Sequence, residues 1–332
     1  MQKIVDAKAS FTAASVLPVK LFKSRLLLES AKDGIIPPIH VQVNPTNKCN
    51  RKCQFCSCAK RDRGLELPIS FFQKLIPHLA SLGTKAVTIT GGGEPLLYRD
   101  FDALIELCRI HGIQTGLVTN GDLLPLAKSD TLRKLTWCRI SCSGAPPVEH
   151  VPWLLAPVIE GAPDVDWAFS YVVDRNHSDD TLWRYVAFAS AKKFTHVRIV
   201  SDMLSETEVP DPMPALRETG INLDRVIYQP RKEWTKGTRR CLISLLKPNI
   251  GPDGLVYACC GVQYARSKAS LDYDQSMSMG PAMSLDKMKA YDGSQCERCY
   301  YSQYNKALAG ILRGDPAPDG IDDLALTHLN FV

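Results

Sequence analysis

Between residues 39 and 200 the hydrophobic period switches repeatedly between two and 3.6, and that alternation limits the folds open to the chain. "IHVQVNPT" (39–46) alternates apolar and polar residues, as a strand does. "SFFQKLIPHLASLG" (70–83) has helical apolar spacing, with Ser70 as the expected cap and Pro77 as an expected kink. "KAVTIT" (85–90) reads as a strand running into the turn "GGGEP", and "DFDALIELCRIHG" (100–112) as a helix ending at Gly112. The pattern continues with "IQTGLVTNG" as strand, "LLPLAKSDTLRKL" as helix, and "WCRISCSGA" and "DWAFSYVVD" as strands. "DDTLWRYVAFASAKKF" then reads as helix and "HVRIV" (196–200) as a sixth strand. Such alternation predicts parallel βα units, whose functional groups collect at the C-terminal ends of the strands.

At 332 residues and 45% hydrophobic, the chain can bury a large core. It has no run of 18 apolar residues, and "MQKIVDAKASFTAASVLPVKLFKSRLLLES" lacks the uninterrupted apolar segment and cleavage site of a signal peptide. The expected address is cytoplasmic, with no membrane partner. Twelve cysteines in a reducing compartment argue against a disulfide framework and for metal or redox chemistry. The net charge of +5 is unevenly spread. Residues 48–63 hold Lys48, Arg51, Lys52, Lys60, Arg61 and Arg63 against Asp62, and residues 225–240 hold Arg225, Arg231, Lys232, Lys236, Arg239 and Arg240 against Glu233. Each stretch is either a solvated face or a counter-charge for an anionic cofactor or substrate.

The first basic stretch overlaps "NPTNKCNRKCQFCSCAK" (44–60), which follows the first strand directly. Cys49, Cys53 and Cys56 have the spacing C-x3-C-x2-C. Three thiolates on one short loop can hold three corners of an iron–sulfur cube and leave the fourth iron open. A structural zinc ion would want four closed ligands.

These residues resemble the radical S-adenosylmethionine (SAM) enzymes, whose signature C-x3-C-x-aromatic-C is matched by Cys49, Cys53, Phe55 and Cys56. A second motif agrees: "TITGGGEPLL" has the form of the family's glycine-rich SAM motif, with Gly91, Gly92, Gly93, Glu94 and Pro95. The resemblance implies an α/β fold, a partial (β/α)6 TIM-like barrel. It implies a 4Fe-4S cluster on the three cysteines, with SAM chelated to the open iron. Reduction by a flavodoxin- or ferredoxin-type donor would release a 5′-deoxyadenosyl radical that abstracts a substrate hydrogen. Phe55 would lie near the adenine, and the glycines would let backbone groups approach the methionine end. Ser141 and Ser143 on the fourth strand, Asn120 with Thr119 after the third, and Arg198 on the sixth are further cofactor-binding candidates. No acid–base residue is singled out.

Among the remaining cysteines, Cys58 reads as a spare or structural thiol, and Cys108, Cys138 and Cys142 as core residues. Cys241 and Cys259 are spaced C-x12-G-x4-C around Gly254, with Cys296-x2-Cys299 further on. This resembles the SPASM auxiliary-cluster domain, and more closely its shortened twitch form, because no cysteine follows Cys299. The resemblance implies a second 4Fe-4S cluster on Cys241, Cys259, Cys296 and Cys299, with "PNIGPDGLVYACC" as a hairpin; zinc is the alternative for this set. Cys260 complicates the choice, since neighbours on a strand point to opposite faces. The expected organisation is an N-terminal arm (1–38), the barrel (39–205), an auxiliary-cluster domain (206–312) and a tail (313–332). For the substrate, the sequence suggests an amino-acid-adducted thymidine in DNA, isomerised or otherwise modified, with Tyr228 and Trp234 interleaved in the second basic stretch to suit a polyanion. The alternatives are a peptide maturase, a small-molecule dehydrogenase, or a non-catalytic metal-binding or redox-sensing module.

Overall fold

The computed structural model describes residues 19–143, 151–202, 204–205, 208–230, 235–261, 275–321 and 326–332. The six period-two segments become β1 (His40–Val43), β2 (Ala86–Ile89), β3 (Gln114–Thr119), β4 (Trp137–Ser141), β5 (Asp166–Val173) and β6 (His196–Ser201). Each pairs in parallel with the next. Helices α1 (Val19–Lys23) and α2 (Arg25–Ala31) precede β1, while α3 (Ile69–Ser81), α4 (Phe101–Ile110), α5 (Ser129–Leu132), α6 (Val151–Gly161) and α7 (Asp179–Ala191) connect the strands. Phe72, Leu75, Ile76 and Leu79 of α3 and Phe101, Leu104, Ile105 and Cys108 of α4 are buried at i, i+3, i+4, i+7, the stripe an amphipathic helix lays on a sheet. Both stripes join Val41, Val87, Ile89 and Leu117 in one core, where trimming a leucine to alanine costs about 2–5 kcal/mol.

The sheet runs on past residue 205. After α8 (Met213–Glu218), β7 (Val226–Gln229) adds in parallel to β6. After α9 (Ile243–Leu246), β8 (Asn249–Ile250) adds in parallel to β1, and β9 (Leu255–Tyr257) and β10 (Ser278–Pro281) complete an antiparallel extension. The order is β10-β9-β8-β1-β2-β3-β4-β5-β6-β7. Segment 206–312 therefore supplies strands to both flanks of the barrel sheet. The sequence concealed β7 because its four residues sit between Arg225 and Pro230. A second core gathers Tyr304, Leu308 and Ile311 of α10 (Ser302–Arg313) with Leu21, Leu27, Leu242 and Leu246, so residues 19–31 pack against the C-terminal region.

Some local expectations change. Helix α3 begins at Ile69 with Pro68 at its cap and no side-chain cap bond, so Ser70 lies inside the first turn. "LLPLAKSDTLRKL" forms a 3-10 turn (Leu124–Leu126) and the four-residue α5, because Pro125 cannot donate to a longer helix. The hairpin in "PNIGPDGLVYACC" forms as expected: Gly254 takes φ +78° in the turn, and Gly251 N–H donates to Leu255 O at 2.9 Å. Among the described residues no helix is long and apolar enough to cross a membrane.

Candidate active site

The loop after β1 is built around cysteines that stay free thiols. Cys49, Cys53 and Cys56 are half-buried, and they lie close enough together to feel one another. Burial raises the Cys53 thiol, Arg51 opposes that rise, and Cys56 and Cys49 add to it. The loop's arginines bond the loop itself. Arg51 forks onto Asp122 beyond β3, Nε to Oδ2 at 2.9 Å and Nη2 to Oδ1 at 2.5 Å, and reaches Ser141 O at 3.3 Å. Arg61, buried, donates to Asn47 O at 2.9 Å, to Cys58 O at 2.6 Å and to Cys56 Sγ at 3.4 Å. Arg63 donates to Cys49 O at 3.0 Å. These cations replace the missing secondary structure by satisfying loop carbonyls. Arg51 and Arg61 also oppose the rise that burial imposes on the Cys53 thiol.

The glycine turn after β2 is fitted to the same loop. A Cβ on Gly93 would stand 2.1 Å from Lys48 O, and one on Gly91 would stand 2.1 Å from Gly93 O. The close approach permits Gly93 N–H to donate to Thr46 O at 3.1 Å and Glu94 N–H to Lys48 O at 2.7 Å. Glu94 is buried, and burial raises its carboxyl, while three donors pull the other way: Asn120 N and Thr119 Oγ1 at 2.7 and 2.6 Å, and Leu96 N at 3.1 Å. Asn120 carries the chain of bonds back to the loop, donating to Asn50 Oδ1 at 2.7 Å. Pro95 opens the short 3-10 turn that follows.

Phe55 lines a cleft of about 350 Å³ with Arg51, Cys53, Ser143, Tyr171 and Asp174, at the C-terminal ends of β4 and β5. A neighbouring cleft adds Asp202, beyond β6. Ser143 accepts a short bond from Val172 N–H, and Ser141 meets the site through its backbone carbonyl. Below the loop, a cavity of about 290 Å³ is lined from β1, β2, β3, β4, β5, β6 and β8, so the sheet curls round it. Gly91, Thr90 and Cys58 line its cysteine-loop end. Residues 327–332 close the other end: Lys20 Nζ donates to His328 O and Phe331 O at 3.0 Å, Lys247 Nζ to Val332 O at 2.5 Å, and His40 Nδ1 meets Val332 O at 2.8 Å. Arg198 lines this cavity rather than the cysteine-loop clefts, and its Nε donates to Gln229 Oε1 at 2.9 Å.

Residues 43–145 match the radical SAM superfamily. The chain carries a radical SAM domain. Over 84 residues it is 32% identical to the S-adenosylmethionine-dependent nucleotide dehydratase of Selenomonas ruminantium, covering 25% of this chain and 30% of that protein. Over 109 residues it is 38% identical to the GTP 3′,8-cyclase of Staphylococcus aureus (strain JH9), covering 30% and 32%. The chain thus spans about a third of the length of these curated relatives. Among solved structures, Streptococcus suis SuiB bound to S-adenosylmethionine aligns with a TM-score of 0.55 and 19% identity over 79% of this chain and 72% of that one. Native anSMEcpe with bound AdoMet and a peptide aligns at 0.52 with 15% identity over 87% and 100%. Both likenesses concern the fold.

A radical SAM domain uses a 4Fe-4S cluster and SAM, and the residues fit both. Three clustered thiols on one loop suit three irons of a cube, and the glycine turn packs backbone to backbone on that loop at Gly93 while Gly91 lines the cavity beside it. Among the described residues no three His, Cys, Asp or Glu side chains close on a single metal ion. Sequence reasoning missed Asp174 and Asp202 as cleft residues; their signal was an acidic residue directly after a strand of a parallel sheet.

The C-terminal cysteines also converge. Cys241, Cys259, Cys296 and Cys299 line one cavity with Gly237 and Gly293, and a Cβ on Gly237 would stand 2.1 Å from Gly293 O. Burial, then Cys299 and Cys296, push the Cys241 thiol up to about 11, against a bond from Asn305. Cys260 points away, into the barrel cavity, where its Sγ lies 3.1 Å from Tyr301 Oη. Of the thiols read as core residues, Cys108, Cys138 and Cys142 are fully enclosed, and burial pushes Cys108 up to about 12. Cys58 is buried at the cavity wall.

Proposed function

We propose that this protein is a radical SAM enzyme that takes a hydrogen atom from a substrate held in the barrel cavity. The carrying observation is that the loop bearing the three clustered thiols, through Ser57 and Cys58, and the glycine turn, through Thr90 and Gly91, line the same end of that cavity. When bound, the cluster supplies the electron that splits SAM and so yields the 5′-deoxyadenosyl radical, the electron coming from a flavodoxin- or ferredoxin-type donor. The chain's own residues hold the parts in place. Cys49, Cys53 and Cys56 would ligate the cluster, Gly91, Gly92 and Gly93 would face the methionine end, and Phe55, Ser143, Asp174 and Asp202 would border the nucleoside. Ser141 and Asn120 brace that border, through the Arg51 and Glu94 bonds. Residues 327–332 exclude water from below. We place a second 4Fe-4S cluster on Cys241, Cys259, Cys296 and Cys299, in an auxiliary-cluster region of the twitch type; with four thiolate ligands it would carry electrons rather than bind substrate. Twelve free thiols suit the cytoplasm.

For the substrate we favour a nucleotide, including an amino-acid adduct of thymidine that the enzyme would isomerise or oxidise. The names of the curated relatives, a nucleotide dehydratase and a GTP cyclase, support a nucleotide. A surface track for long DNA has less support. Arg225 bonds Lys193 O and Phe194 O, Tyr228 packs on the core with its hydroxyl buried, and Arg231, Lys232 and Trp234 lie outside the described residues. The test is anaerobic turnover with dithionite and SAM, reading 5′-deoxyadenosine by mass spectrometry with thymidine monophosphate, an aminoacylated thymidine oligonucleotide, or unmodified peptides. Stimulation by either thymidine compound supports the proposal. Stimulation by peptides alone replaces it with peptide maturation, and cluster-loaded protein that cleaves no SAM would point to a metal-binding or redox-sensing module.

A further inference from the structure

The deep half of the barrel cavity has a chemistry that the cofactor does not account for. Four basic side chains line it, Lys20, Arg139, Arg198 and Lys247. Among the described lining residues Asp166 is the one carboxylate, and it is bonded to His328 at 2.5 Å. Like charges enclosed together at low dielectric repel strongly. Burial first, and then Arg139 and Arg198 against the field of Cys260, pull Lys247 down to about 8. Burial, then Arg139 and Arg198, hold His196 well below its ordinary value.

The depth of this charge is set by stacked rings. The Arg139 guanidinium lies over Trp137, 5.5 Å from its centroid, and Trp137 meets Phe331 of the closing segment edge-on at 5.4 Å. Arg139 thus stands one ring above the floor. The wall on β1 and β8 differs. Gln42 and Asn249 are cross-strand partners there, and their amide oxygens, with that of Asn44 just above, are buried without a hydrogen-bond partner. Asn44 and Asn249 are 2% and 1% exposed. Each amide can present its oxygen or its NH2 to a ligand, and leaving such a group unmatched is costly.

We propose that the cavity binds a compact substrate by its anionic group, a phosphate or carboxylate held between Arg139 and Arg198, with hydrogen-bonding edges against Gln42, Asn44 and Asn249 and the reacting carbon turned toward Gly91. The inference rests on the radical SAM reading for that last orientation only. A cavity of about 290 Å³ lies near the lower end of the ~300–1,000 Å³ usual for small-molecule sites, so it takes a small molecule or one end of a larger one. Arg198 is thereby assigned to substrate rather than to SAM.

The test is anaerobic titration calorimetry on reconstituted holoprotein at constant ionic strength, with inorganic phosphate and with malonate as probes. Either anion should bind, the tighter one identifying the group, and Arg139→Gln and Arg198→Gln should each weaken it about tenfold or more, the worth of a charge-assisted bond. Gln42→Glu, near-isosteric and on the opposite wall, should also weaken it about tenfold by repulsion, which keeps the idea testable if an arginine variant fails to fold. No binding of either probe, unchanged affinity in the folded variants, or competitive displacement by S-adenosylhomocysteine would overturn the proposal. SAM cleavage by the same preparations separates the two claims: anion binding without cleavage removes the proposed function alone, and cleavage without anion binding removes this inference alone.

Discussion

Gly93→Ala is the sharpest perturbation the structure offers, because it adds one methyl group where backbone meets backbone. The new Cβ would lie 2.1 Å from Lys48 O and 2.6 Å from Asn47 C. No side chain can rotate out of the way, so the glycine turn and the cysteine loop must separate. Separation breaks the bonds from Gly93 N to Thr46 O and from Glu94 N to Lys48 O. Each is worth about 1 kcal/mol net, and residual overpacking adds about 1–3 kcal/mol. The expected loss is therefore about 3–5 kcal/mol in urea unfolding. Iron bound through Cys49, Cys53 and Cys56 should fall in parallel. Gly34→Ala is the control: it has a left-handed φ of +72° but nothing within 4 Å of its Cβ, so it should cost only about 1 kcal/mol. If Gly93→Ala were no worse than Gly34→Ala and kept its iron, the steric argument would fail.

Asp122→Ala removes the carboxylate that holds both Arg51 and Asn50, and urea unfolding should show a loss of about 1–3 kcal/mol with faster cluster loss; an unchanged midpoint would contradict the bracing role. Lys20 is held down to about 7 against its ordinary 10.5, by burial first and then by Lys247. Between those values the unfolded chain keeps a proton the folded one has released, so stability should climb with pH from about 7 to 10, and Lys20→Met should flatten the climb; an identical slope in the variant would refute it. Cys259→Ser should strip iron from the C-terminal site while Cys260→Ser leaves it, and the reverse result would reassign the ligand.

The parts legible in the sequence are those whose signal is local. The cysteine spacing, the glycine turn and the six alternating strands each lie within a few residues; periodicity located the strands, and spacing with the family resemblance located the two motifs. The arginines of the loop were visible as charge, yet nothing in "NRKCQFCSCAKRDR" says that Arg51, Arg61 and Arg63 would turn onto Asp122 and the loop's own carbonyls. Arg139 and the amides of Gln42 and Asn249 looked like ordinary strand residues, because only the curl of the sheet gives them a common interior. The closing segment carried no signal, since "THLNFV" acquires its role through Lys20, His40 and Lys247 alone.

The bond from His40 to Val332 spans 292 residues. The turn that braces the cysteine loop lies within fifty residues of it, so loop and turn can meet while the chain is still emerging from the ribosome. The chamber beneath them gains its bottom only once residue 332 has been synthesised. Loop and turn thus need only early residues while the floor needs late ones, and a chain lacking residues 327–332 would have the one without the other.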